Sequence, residues 1–379
     1  MSVVELARKL GLGYEVMEDL VARLRSEMFC QVTGMQSNIP VICVSDTGRA
    51  RAIDLLAHNS YTGAAPVSFE SYVAQVRKQS VQSLSVDADT VSHAFAHLVI
   101  DDHLLERFGT ALNSGSSILL YGPAGTGKTT IAEVMSRVLA ADPVWIPYAI
   151  EIEGQIVTIF DRAIHKQAPA EKMPSEHDAR WIYCERPAVM VGGELTTEML
   201  DMQFNPITRF YVSPVQMKAN NGVLIIDDFG RQRIRPEELM NRWIVPLDRR
   251  IDFLTFTGGK KIEMPFEMLV VFASNRDPSE LVDPAFLRRL QTKIRIGEVT
   301  AEQFAEIFRR VAAEKEVSYD PEIPSLLAAF IQERMKQDLR SCYPRDIVNQ
   351  VCWSAKYRGK EPHIDRQALE RAIEAYFTI

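Results

Sequence analysis

The chain has 379 residues, 46% hydrophobic and 25% charged, the composition of a soluble globular protein and a length that calls for about two or three domains rather than one core. Its longest apolar runs, 268–273 and 223–226, fall far short of the roughly 20 residues of a membrane helix, and residues 1–9 carry charge where a secretory signal needs an apolar stretch. A cytoplasmic location with no membrane partner is therefore expected. The net charge of −7 argues against a generic nucleic-acid coat, although it leaves room for a local basic site.

Five cysteines (Cys30, Cys43, Cys184, Cys342, Cys352) form no CxxC pair and no regular spacing, which reads as reduced thiols in the core. His165, His177 and Cys184 share one segment, but no ligand spacing recurs and no metal site is read there. Residues 3–10 read as a short amphipathic helix stopped by Gly11 and Gly13. A second helix, 14–28, has apolar positions at Val16, Leu20 and Leu24. Two short strands follow around 29–33 and 41–44, joined by a turn-prone segment, 34–40. Ser45 then opens a helix over 48–58. This succession, with the run VSDTGRARAIDLL, resembles a winged helix, and the resemblance implies a small N-terminal α+β domain over 1–62. Helical stretches near 68–79 and 89–108 fall in a linker, 63–110.

From Ser116 the pattern is a strand at 118–121, a glycine loop and a helix over 129–139. Further apolar strands lie at 222–226 and 268–273. Short buried strands alternating with helices predict a parallel sheet covered on both faces, an α/β core over 111–297 with an insertion at 142–221 that has no assignment of its own. After Gly297 the pattern is helical. Thr300 and Gln303 form a capping box, and helices are expected near 323–336, 344–357 and 366–377, a helical lid over 298–379.

The chemistry concentrates in this core. Gly122, Pro123, Ala124, Gly125, Thr126, Gly127, Lys128 and Thr129 satisfy GxxxxGK[ST], with Thr130 next in the helix. Such a loop cradles phosphate oxygens at a helix N-terminus. Lys128, read as solvent-exposed, should reach the β- and γ-phosphates, and the Thr129 hydroxyl should bind Mg²⁺. Asp227 and Asp228 end an apolar strand, where ligands sit in parallel sheets. Asp227 fits the Walker B role of holding Mg²⁺ through its water shell, and Asp228 stands where a glutamate usually orients the attacking water. Asn275, at another strand end, suits an amide bridging the γ-phosphate and that water. Arg288 and Arg289 are candidates for an arginine acting across a subunit interface, their order left open. Arg345, at the start of a lid helix, is a candidate for reaching back to the nucleotide.

These residues, in this order over roughly 90–379, resemble the AAA+ ATPase family. A predicted hairpin over 251–264, turning at Gly258-Gly259, and the approach KANNGVLIIDD are similar to those of MoxR-type relatives with a hairpin ahead of the strand-end Asn. There such hairpins face a ring pore or a client. As a whole the chain resembles bacterial ATPases described as chaperone-like. The resemblance implies ATP and Mg²⁺ as cofactors, a homo-oligomeric ring, usually of six, and a protein client. A DNA-linked ATPase, such as a transposition helper, initiator or transcriptional regulator, is the alternative. Against it, helix 14–28 holds Glu15, Glu18, Asp19 and Glu27 but only Arg23 and Arg25, a sign that repels phosphate. A slow ATP-dependent switch is the third reading, kept open by the short arm of Asp228.

Overall fold

Ile118, Leu119 and Leu120 are wholly buried, as a strand covered on both faces must be. The computed structural model, which describes residues 1–36, 39–281 and 283–377, places them in a parallel sheet. Ile118–Tyr121 pairs with Leu269–Ser274 on one side, Ser274 opposite Tyr121, and with Thr292–Arg295 on the other, Arg295 opposite Tyr121. The helix Lys128–Leu139 follows the first strand and buries Ile131, Ala132 and Met135. The chain is thus an α/β protein with a parallel sheet core and a helical C-terminal region.

By contacts the residues group into two units, neither continuous in sequence. One comprises residues 1–84, 139–225 and 232–270; the other comprises 85–138, 226–231 and 271–379. This grouping cuts across the contiguous segments read from the sequence. The 142–221 segment lies wholly in the first unit.

In the first unit, the helix Val3–Leu10 starts at a capping box between Ser2 and Glu5 and stops at left-handed Gly11. There an added Cβ would crowd the Ala179 carbonyl. The helix Tyr14–Ser26, the antiparallel strands Cys30–Gln36 and Ile39–Val44, and the helix Asp46–His58 capped by Ser45 follow. The turn expected at 34–40 falls partly outside the described residues. Val3, Ala7, Met17, Val21 and Ile42 form a small core of their own. The 142–221 segment supplies four strands of a five-stranded sheet, ordered Gln203–Asn205, Phe210–Val212, Gln155–Thr158, Ala149–Ile152, with Val67–Ser68 as the fifth. His165 is held between backbone groups, its Nε2 against the Lys218 carbonyl at 2.9 Å and its Nδ1 accepting from Asp161 N–H.

The hairpin appears as expected, Ile251–Thr255 antiparallel to Lys261–Pro265, with Gly258 and Gly259 at φ 115° and 86° in its turn. Alternation sorts its side chains. Leu254, Phe256, Ile262 and Met264 belong to the core of the first unit, Phe256 edge-on to Tyr211 at 4.8 Å, while Phe253 is exposed. Asp252 is buried among Arg242 and Gln216. The hairpin thus buries one face as framework, while Phe253, Lys261, Glu263 and the turn are exposed.

In the second unit, residues beyond Gly297 form one helical cluster: Ala301–Glu314 (capped by Thr300 and Gln303), Ile323–Ala329, Cys342–Arg358 and Arg366–Tyr376. Phe304, Phe308, Leu327, Ile347, Val348 and Leu369 share its core. The stretch read as one helix over 89–108 is two, Ala88–Phe95 and Asp102–Ser114. Asp101 caps the second, its side chain accepting from Leu104 N–H, so the chain needs an extended break before it.

Candidate active site

The loop after Ile118–Tyr121 is built on Gly122, Gly125 and Gly127, at φ 139°, 79° and 89°, a region glycine alone enters without steric cost. A Cβ at Gly122 would strike the Ile296 carbonyl. Thr126 Oγ1 closes the turn by donating to the Pro123 carbonyl at 3.0 Å. Glycine turns of this kind at a helix N-terminus make an anion-binding nest.

Lys128 differs from the sequence expectation. Instead of standing exposed it is buried, 6% accessible, because its own loop wraps around it. Its Nζ donates to the carbonyls of Gly122 at 3.0 Å and Pro123 at 2.7 Å. Burial pushes its pKa down to about 8, against the pull of Asp227 and Asp228. A polyphosphate at the nest would favour the charged form and raise that pKa, so binding requires the protonated lysine. Affinity for ATP is therefore expected to be flat below about pH 8 and to fall by up to about tenfold per pH unit above it. Lys128→Arg, which stays charged, removes the dependence. Calorimetric titration between about pH 7 and 9.5 checks this, and an equally pH-independent parent refutes it.

The two aspartates do different things. The Thr129 hydroxyl donates to Asp227, 3.0 Å from each carboxylate oxygen. A hydroxyl and a carboxylate side by side are hard oxygen donors of the kind Mg²⁺ takes, in a site otherwise completed by phosphate and water. Asp228 turns away into the left-handed region, φ 49°. Its N–H donates to Asp227 Oδ1 at 3.0 Å, and its own Oδ1 accepts from Asn275 Nδ2 at 2.8 Å. The turn is clamped to the strand end beside it: Phe229 N–H donates to the Ala273 carbonyl at 2.7 Å, and Ser274 Oγ donates to the Phe229 carbonyl.

These groups open on a cavity of about 650 Å³, within the range of cofactor sites. Residues Ala124 to Thr130, Asp227, Asp228, Asn275 and Arg345 all line it. Arg345 is largely exposed, its Nε 3.4 Å from Asp346. Arg288 and Arg289 are not among the lining residues. Arg289, in the turn after the helix Pro284–Leu287, is held against that helix, Nη1 donating to the Ala285 carbonyl at 3.0 Å and the guanidinium lying over the Phe286 ring, whereas Arg288 is exposed.

Sequence reasoning missed several lining residues. The break between the two helices brings His97, Leu98, Val99 and Ile100 to the cavity, and the first lid helix brings Gln303, Ile307 and Arg310. Just ahead of Tyr343-Pro344-Arg345, Ser341 Oγ and Cys342 N–H both donate to the Gly125 carbonyl, at 3.1 Å each. The cap Asp101 was the legible signal for the break; nothing in the sequence marked Ser341.

A domain of unknown function (DUF8689) matches residues 300–375. Among curated proteins, the "AAA ATPase forming ring-shaped complexes" of Corynebacterium jeikeium (strain K411) is 27% identical over 218 residues, 57% of this chain and 33% of that protein. The "Proteasome-associated ATPase" of Arthrobacter sp. (strain FB24) is 26% identical over 316 residues, 79% of this chain and 47% of that protein. The chain thus spans less than half the length of these relatives. Solved structures with a likeness include the RuvB Holliday junction branch migration motor of Thermotoga maritima, at 14% identity and TM-score 0.39 over 82% of this chain and 72% of that one. Domain III of the replication initiation protein DnaA, also from Thermotoga maritima, has 12% identity and TM-score 0.43 over 76% and 98%. Those scores are too low to bear on function. In sequence the chain is thus similar to curated AAA ATPases, and the Thr129 of its P-loop meets the strand-end Asp227.

Proposed function

We propose that this chain binds ATP with Mg²⁺, hydrolyses it, and works as a homo-oligomeric ring, expected to hold six subunits, that remodels a protein client. The observation that carries the chemistry is the pairing of two carboxylates with two partners in one cavity: Asp227 with the Thr129 hydroxyl, Asp228 with the Asn275 amide. Lys128 exchanges the carbonyls of its loop for phosphate oxygens. Thr129 and Asp227 would hold the Mg²⁺, which would offset the phosphate charge. Asp228, oriented by Asn275, accepts the proton of a water whose oxygen bonds to the γ-phosphorus as the bond to the bridging oxygen breaks, leaving ADP and phosphate.

A ring is supported by the arginines. Arg288 is exposed and outside its own chain's cavity lining, as an arginine acting on a neighbour's site would be, and a head-to-tail contact that closes makes a ring. Arg289 is engaged in the turn after the helix Pro284–Leu287, which favours Arg288 for that part. The curated relative named for ring-shaped complexes agrees with this. A protein client is supported by the helix Tyr14–Ser26, which exposes Val16, Leu20 and Leu24 at i, i+4 and i+8 beside Glu15, Glu18 and Asp19. That apolar, acidic surface suits a protein and repels DNA. The buried hairpin residues leave Phe253, Lys261, Glu263 and the turn at 257–260 for any grip on a client.

Two crippled subunits test the ring. Chains carrying Lys128→Ala lack a phosphate site but keep Arg288; chains carrying Arg288→Ala have the converse defect. Each alone should hydrolyse ATP about 10³-fold more slowly than the parent, and their mixture should recover measurable turnover. A mixture no faster than the sum of its parts would sink the trans arginine. ATPase stimulation by DNA and not by protein would favour the DNA-linked reading.

A further inference from the structure

Beside the P-loop, two segments contribute apolar residues to the cavity lining: Leu98, Val99 and Ile100, and Ile307 and Val311 of the helix Ala301–Glu314. That helix is two-faced by its 3.6-residue period. Phe304, Phe308 and Ala312 point into the lid core, while Gln303, Ile307, Arg310, Val311 and Glu314 face the cavity. The two apolar walls come from segments more than 200 residues apart in sequence, and one side chain ties them together. Arg310 Nη1 donates to the carbonyls of Ala96 at 2.8 Å and Leu98 at 3.0 Å. Its Nε donates to Glu306 at 2.7 Å. Glu306 also receives both arms of Arg309 at 2.7 Å, and the two arginines, Arg309 first, hold its carboxyl well below the usual range.

Resting on the reading of this cavity as an ATP site, we propose that Arg310 is a positioning residue for the nucleoside half of the ligand. Its fork sets the gap between the 96–100 segment and the lid helix, and Glu306 sets the fork. Guanidinium donors are rigid and planar, so two carbonyls and a carboxylate define the position of the wall closely. The apolar residues that the two segments bring to the lining suit the faces of a base. The phosphate end, made by the P-loop, Asp227 and Asn275, has no bond to Arg310 among the contacts described. Loss of the fork therefore loosens the base and leaves the phosphates held.

The experiment compares ATP with inorganic tripolyphosphate, each with Mg²⁺, by calorimetry on the full chain. The parent binds ATP more tightly than tripolyphosphate. Arg310→Ala weakens ATP about tenfold or more and leaves tripolyphosphate within about twofold; Arg310→Lys, which keeps the charge but not the fork, behaves like Arg310→Ala. Glu306→Gln shows the same selective loss at smaller size and carries the test if Arg310→Ala fails to fold. Equal weakening of both ligands, or of neither, overturns the proposal. A parent that binds the two ligands equally overturns it while the phosphate site stands, and a parent that binds neither overturns the ATP reading with it.

Discussion

Lys128→Ala is expected to abolish ATP binding detectable by calorimetry at micromolar protein, a loss of at least about a hundredfold, while circular dichroism and the melting temperature stay close to the parent's. The lysine is the one cation whose ammonium sits inside the P-loop. An ammonium there offsets several phosphate charges at close range in a site partly shielded from water. Its burial does not imply a large stability loss on removal. The depressed pKa shows that its charge is poorly solvated, so truncation relieves that desolvation as it gives up two hydrogen bonds to carbonyls. Unchanged ATP affinity would overturn the P-loop assignment. A large fall in melting temperature would instead show that the lysine holds the loop together.

Asp228→Asn is expected to cut hydrolysis by about a hundredfold or more while ATP affinity stays within about twofold. General-base catalysis contributes about 10²–10⁴-fold, and the amide cannot take a proton. The substitution is gentle elsewhere. Asn tolerates the left-handed φ of 49° as Asp does, and a carbonyl oxygen can still accept from Asn275. Nucleotide trapped on the variant, measured by rapid filtration, should remain ATP. Parent-like turnover would place the base elsewhere. The backbone also gives a reason for aspartate here: a glutamate at this φ costs about 1 kcal/mol or more. The shorter arm then predicts slow basal turnover, because the water must come closer to the turn.

Sequence alone determined the local chemistry, since local rules govern it. GPAGTGKTT between an apolar strand and a helix has few structures open to it. The capping boxes at Ser2 and Thr300 and the glycines at 258–259 state their own conformations. Asp227, Asp228, Asn275 and Arg345 were legible because each ends a strand or starts a helix, and the structure does bring them to one cavity. Tertiary structure decided what depends on partners distant in sequence. Lys128 was read as exposed because no local pattern shows that a loop will close over its own side chain. What the hairpin's buried face meets was not legible, because period-2 alternation shows that it has two faces, not that one of them packs on Tyr211 and its neighbours. The helix read through 89–108 breaks at 96–101. The apolar and helix-forming residues there satisfied the period, and only the cap at Asp101 and the tether from Arg310 make the break the stable choice. Likewise no local pattern distinguishes Arg288 from Arg289; in the turn after the helix Pro284–Leu287 it is Arg289 that lies over the Phe286 ring and donates to the Ala285 carbonyl, while Arg288 is exposed.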